Sequence, residues 1–163
     1  MNRTDSNLFE QEHARIGAGM QAHLLALVGA DFAEALQLFD RWLQELMQHI
    51  AIENEQLLPH LPADARWPAR MYELEHERIT LLADEYRARL AQVAQQPPSD
   101  EPARRQTVLD LLDATHALRH LLEHHNQREE MALAHELPLA LQQAVWPAQL
   151  EPPTASPTAS ATN

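Results

Sequence analysis

A histidine followed downstream by a His-x3-Glu pair occurs twice in the chain, six residues of two chemical types. The segments EQEHARI (Glu10–Ile16) and ELEHERI (Glu73–Ile79) are near-repeats, each carrying one histidine, His13 and His76. Each is followed downstream by a His-x3-Glu pair: His49/Glu53 after the first, His125/Glu129 after the second. Residues four apart on a helix share a face, one turn from each other. In such a pair the imidazole can bind one metal ion while the carboxylate reaches a neighbouring ion or bridges two. Four imidazoles and two carboxylates suit two borderline, redox-active ions, with positions left for water or a small ligand. Nitrogen and carboxylate donors with open positions favour iron over structural zinc, whose sites are closed and thiolate-rich.

Helical periodicity supplies the elements that must position these residues. The first periodic segment runs from about Asp5 to Val28 and stops at Gly29. The second opens at Asp31, with Glu34 three residues on as in a capping box, and runs to Leu58 before Pro59. Residues 62–68 form a loop. The third segment runs from about Ala69 to Gln96 and is ended by Pro97-Pro98. The fourth starts at Ser99-Asp100-Glu101-Pro102, with proline near the first turn, and runs to about His135. A short amphipathic piece spans Leu137–Trp146. Together these predict an all-α, up-down-up-down four-helix bundle over residues 1–146. A disordered tail rich in Pro, Ala, Ser and Thr is expected at 147–163.

The apolar stripes turn the six polar residues inward. Helix 2 reads Phe39, Trp42, Leu46, His49, Glu53, Leu57, and helix 3 reads Tyr72, His76, Ile79, Ala83, Tyr86, Leu90, every step being three or four residues. His13 sits between Phe9 and Ile16 on helix 1, and His125 and Glu129 between Leu122 and Leu133 on helix 4. Counted from the loops, all six fall within about one turn of one level. A buried unpaired carboxylate costs several kcal/mol or neutralises itself, so a metal centre is the simplest compensating partner. Ile16, Met20, Leu46, Ile79 and Leu122 flank the ligands, and a dry pocket admitting only small apolar or diatomic ligands is expected there.

Composition narrows the function. A net charge of −12 opposes phosphate backbones and anionic lipid surfaces, so neither nucleic acid nor membrane is an expected partner. The chain has no cysteine, which excludes disulfides, thiolate zinc sites and cysteine-held iron–sulfur clusters. No apolar run reaches the length of a membrane span, and the first residues lack a signal-peptide apolar core. A cytoplasmic monomer is the expectation.

The pattern His … His-x3-Glu … His … His-x3-Glu on four helices resembles the hemerythrin-like (HHE cation-binding) domain over about residues 8–137. Leu57-Leu58-Pro59 after the first pair is typical of that family. The resemblance implies a non-haem site of two iron ions held by His13, His49, Glu53, His76, His125 and Glu129. Both glutamates are bridge candidates, and an oxo or hydroxo bridge is implied on oxidation. The chain departs from the oxygen carriers, which have a second histidine where Thr80 stands and end in His-x4-Asp. Glu130 sits at the x4 spacing, but Asn54 occupies that place in the first half, so the recurring x3 spacing favours Glu129.

Other residues carry blander expectations. His23, His60, His116, His120, His124 and His135 lack the repeat and are expected mostly as solvated or capping side chains. Glu10 and Glu73 either orient the site from outside or face solvent, whereas Glu12 and Glu75 are expected in solvent. Glu10-x-x-His13 and Glu73-x-x-His76 also carry the spacing of ferritin-like sites, an alternative disfavoured because the other two helices offer His-x3-Glu. Thr80 either bonds a metal-bound small molecule or its own helix carbonyl. The six-ligand set resembles members that bind or sense O2, NO or iron. A di-iron enzyme that disproportionates peroxide or oxidises ferrous iron is the competing reading. Few acid–base groups stand near the site, which favours binding. A sensor would need a separate protein partner.

Overall fold

Three short polar side chains set where the long helices begin. Asn7 accepts a hydrogen bond from the Glu10 amide at 2.9 Å, Asp31 from the Glu34 amide at 3.0 Å, and Asp100 from the Ala103 amide at 2.9 Å. Each satisfies a donor that a helix start leaves free. They open α1 (Leu8–Val28), α2 (Phe32–Ile52) and α4 (Glu101–Ala114). α3 (Ala69–Gln95) follows Pro68, whose extended backbone (φ −69°, ψ 150°) leads into the first turn. The computed structural model describes residues 7–146, and no strand occurs among them. The expected start at Asp5 and the expected tail at 147–163 lie outside the described residues. Asn7 is the cap of α1.

α1 and α2 meet in a tight corner. Gly29 stays right-handed, and Ala30 takes the left-handed conformation at φ 55°. An alanine there carries a cost of about 1 kcal/mol that glycine would avoid.

The fourth expected helix is two. α4 ends at Ala114 and α5 (His116–Arg128) begins beyond Thr115. Thr115 is fully buried, and its hydroxyl donates to the Leu112 carbonyl at 2.7 Å. That back-bond competes with the helical ladder.

The α-helical ladder also fails to run through the His-x3-Glu motifs. Each glutamate opens a five-residue π-turn, Glu53–Leu57 after α2 and Glu129–Leu133 after α5. Such widened turns collect at functional sites. The first passes into a 3₁₀ turn, Leu58–His60, with Pro59 inside it. The second passes into the single turn α6 (Ala134–Glu136), and α7 (Leu139–Val145) folds back from there. The Gln142 amide pins α7 by donating to the Ala134 and Leu137 carbonyls, both at 2.9 Å.

The long helices pack as a helical bundle: α1 on α2, α2 on α3, α3 on α5, and α4 and α5 back on α1. Two apolar clusters fill it. The larger contains Ile16, Met20, Phe39, Trp42, Leu46 and Ile79; the smaller contains Phe9, Leu57, Tyr72, Leu133 and Trp146. Along each rod the six polar residues of the repeat fall between one cluster and the other. The core stripe expected for helix 3 is the buried face of α3, residue for residue. No helix among the described residues is long and apolar enough to cross a membrane.

Candidate metal centre

All six residues singled out by the repeat are buried, with Glu53 and Glu129 fully so. They come from α1 (His13), α2 (His49), α3 (His76), α5 (His125) and the first residues of the two π-turns. Their donor atoms form two groups, each with its atoms within 4.8 Å of one another: His13, His49, Glu53 and Glu129, and Glu53, His76, His125 and Glu129. Both glutamates belong to both groups. Each group could hold one cation, and the shared carboxylates would link the two.

The distances agree. Glu129 Oε2 lies 3.1 Å from His13 Nε2, and Glu129 Oε1 lies 3.1 Å from His125 Nε2 and 3.7 Å from His76 Nε2. Glu53 Oε1 is 2.8 Å from His49 Nε2, and Glu53 Oε2 is 3.2 Å from His76 Nε2. Several of these contacts are close without hydrogen-bond alignment. Both oxygens of Glu53, Oε1 of Glu129, and both ring nitrogens of His49 are buried with no hydrogen-bond partner. Buried polar atoms left this way are expensive. Atoms short of protein partners that converge on common points are what metal coordination would satisfy, so the donor set fits.

The outer ring nitrogens of three of the four histidines are held from behind. His13 Nδ1 meets Glu130 Oε1 at 2.7 Å, His76 Nδ1 meets Asn54 Oδ1 at 2.8 Å, and His125 Nδ1 meets Glu75 Oε2 at 2.9 Å. Such partners fix the tautomer and aim Nε2 inward. Arg128 in turn engages Glu75 and stands over the Trp67 ring, 5.3 Å from its centroid. Asn54 and Glu130 directly follow Glu53 and Glu129, so each His-x3-Glu motif is followed by a residue that orients a histidine of another helix.

Electrostatics follow from this packing. Burial alone lowers the pKa of His13, His76 and His125, but the facing carboxylates reverse that and raise all three. Burial raises Glu129, but His125, His13 and His76 hold it well below the ordinary carboxylate range. Glu53 is also lowered, by His49 and His76, against burial and the charge of Glu129. The imidazoles of His13, His76 and His125 and the two carboxylates thus favour one another's charged forms.

A cavity of about 230 Å³ reaches the centre from one side. His13, His49 and His125 line it together with Ile16, Met20, Leu46, Ile79 and Leu122, as expected of those apolar residues. The pocket expected to be dry and to admit only small apolar or diatomic ligands is open on one side and partly polar-lined. The exposed residues Gly17, Gln21, Arg119 and Glu123 also line the cavity, so it opens to the surface. Its volume is several times the ~30 Å³ share of a water molecule. Thr80 does not line it; its hydroxyl donates to the His76 carbonyl at 2.9 Å.

The expectations for Glu75 and His23 change, and of the two alternatives for Glu10 and Glu73 the one that keeps them out of the site holds. Glu75 is half-buried and bonds His125, so it is not a solvent-facing charge. Glu10 and Glu73 stand outside the site, with Glu10 near Asn7 and Glu73 paired with Arg70. His23 is completely buried, with Nδ1 2.8 Å from the Ala35 carbonyl and Nε2 2.8 Å from the Tyr86 hydroxyl. On helix 4 the register is as read from the repeat: His125 is buried and His124 exposed.

A family model described as the hemerythrin HHE cation binding domain matches residues 4–137. Comparisons with curated proteins and with solved structures find no match.

Proposed function

The chain belongs to the hemerythrin HHE cation-binding domain family, and from that premise we propose a non-haem di-iron protein that binds or senses O2, NO or iron. One observation carries the reading: two four-residue donor groups that share both Glu53 and Glu129. His13 and His49 would serve one ion, His76 and His125 the other, with the carboxylates common to both. Iron, when bound, supplies reversible redox chemistry and open positions for a small ligand. The chain does the rest. Glu130, Asn54 and Glu75 fix the tautomers of three ligands, the two apolar clusters isolate the polar layer from above and below, and the cavity admits the small molecule. Sequential packing of the four rods through short connections supports an up-down-up-down arrangement.

The cavity also gives the enzyme reading a footing, because it has room for peroxide beside the ligand histidines. Against it, the lining contains no buried acid or base other than the ligands themselves. The test is anaerobic loading of the metal-free protein with Fe(II), followed by air, NO or hydrogen peroxide in separate samples. About two tightly bound irons per chain and a ligand-dependent visible spectrum support the proposal. Fewer than one tightly bound iron refutes it, and multiple turnovers of peroxide would put the enzyme reading first.

A further inference from the structure

Three of the four ligand imidazoles are fixed at Nδ1 by an acceptor; His49 is the exception. Its Nδ1 is buried with no hydrogen-bond partner. What holds its ring is aromatic. Trp146 lies nearly parallel to it, with centroids 5.0 Å apart and planes at 9°. Phe9 braces the indole edge-on at 4.7 Å and 88°. Trp146 is only 5 % exposed. It is delivered by α7, which Gln142 pins to the Ala134 and Leu137 carbonyls. Neither α7 nor Trp146 falls within residues 4–137, the span the family model matches.

We propose that Trp146 is a positioning residue for one half of the metal centre. By stacking on His49 it keeps Nε2 aimed at Glu53, the task that Glu130, Asn54 and Glu75 perform for the other three imidazoles by hydrogen bonding. α7 is then a strap outside the matched span on which one of the two cations depends. The inference rests on the two-cation reading above. It is specific because His49 belongs only to the group that contains His13. Loss of the stack weakens that ion and spares the one held by His76 and His125. The expected loss is about tenfold to a hundredfold in affinity, the range found when a group behind a metal-bound histidine is removed.

The test is an anaerobic Co(II) titration of the full chain, read by visible absorption and by metal count. Wild type should take two ions. Trp146→Leu, which keeps apolar bulk without an aromatic face, should bind one ion about tenfold to a hundredfold more weakly and the other within about twofold of wild type. Trp146→Phe should recover most of the loss. Gln142→Ala keeps the tryptophan but loosens α7 and with it the stack, and should weaken the same ion; it carries the test if Trp146→Leu does not fold. A role confined to packing would lower the melting temperature and leave the two affinities in their wild-type ratio. Wild-type binding of both ions by Trp146→Leu, or equal weakening of both, overturns the inference. Failure of the wild type to take a second ion would instead overturn the two-cation reading.

Discussion

Replacing Glu129 by glutamine removes one charge and almost no volume from the centre of the protein. The carboxylate is fully buried and faces three imidazoles, His13 and His125 at 3.1 Å and His76 at 3.7 Å. In the metal-free protein these imidazoles hold raised pKa values largely because Glu129 faces them. Glutamine leaves Glu53 as the one carboxylate between the imidazoles, with Glu130 and Glu75 behind His13 and His125, or forces the imidazoles to give up protons. Breaking a buried pair from one side costs about 3–5 kcal/mol. With a urea slope of about 2 kcal/mol per molar, the unfolding midpoint of the metal-free variant should fall by about 2 M. The sign with pH follows from both partners. Stabilisation through imidazoles with raised folded pKa is complete below their unfolded value of about 6.5 and fades as pH rises through the folded values. Stabilisation through the lowered carboxylate is complete above its unfolded value of about 4.3 and fades below it. The deficit of Glu129→Gln should therefore be largest between about pH 4.5 and 6.5. Glu130→Gln keeps an acceptor at His13 Nδ1 and should shift the midpoint by less than about 0.5 M. Loaded with metal, Glu129→Gln should fall short of two ions per chain, and Glu130→Gln should keep two, one of them weakened. Wild-type stability and two ions in Glu129→Gln, with loss of metal in Glu130→Gln, would show that the x4 residue is the ligand.

Metal loading should release protons at a pH where these imidazoles still carry them, because an imidazole must be neutral to coordinate and the pKa values of His13, His76 and His125 are raised in the metal-free protein. Calorimetric titrations in buffers of different ionisation enthalpy would count them, and the number should fall as pH rises through the raised imidazole values. His23 titrates in the opposite sense: burial lowers its pKa, so its stabilising effect is present above about pH 6.5 and is lost as pH falls toward the folded value. His23→Gln should flatten that part of the melting-temperature profile. A side chain at Gly17 would meet open space beside the cavity, so Gly17→Leu should slow azide or NO binding to the iron-loaded protein by stopped flow without changing metal content. Ala30→Gly should raise stability by up to about 1 kcal/mol in urea unfolding, because it relieves the left-handed alanine.

The six candidate ligands were legible because each lies at helical spacing inside an apolar stripe, where a polar side chain needs a compensating partner. The residues behind them were not. His13, His76 and His125 find their outer partners 117, 22 and 50 positions away in sequence, and such pairings are set by helix packing, not by local pattern. A partial signal existed for two of them, since Asn54 and Glu130 are the polar residues that immediately follow the repeated glutamates. Glu75 carried none, because a glutamate beside a ligand on an amphipathic helix reads equally well as a surface charge. His23 was missed for a related reason: its partners, the Ala35 carbonyl and the Tyr86 hydroxyl, come from other helices. The break at Thr115 and the π-turns at Glu53 and Glu129 depend on hydrogen bonds one residue out of register, to which a 3.6-residue period is blind.

Anomalous diffraction at the iron absorption edge, from crystals of the iron-loaded protein, tests the central claim most directly. The account predicts two peaks, one among His13, His49, Glu53 and Glu129 and one among Glu53, His76, His125 and Glu129, with both carboxylates between them. A single peak, or peaks away from these six side chains, would contradict it.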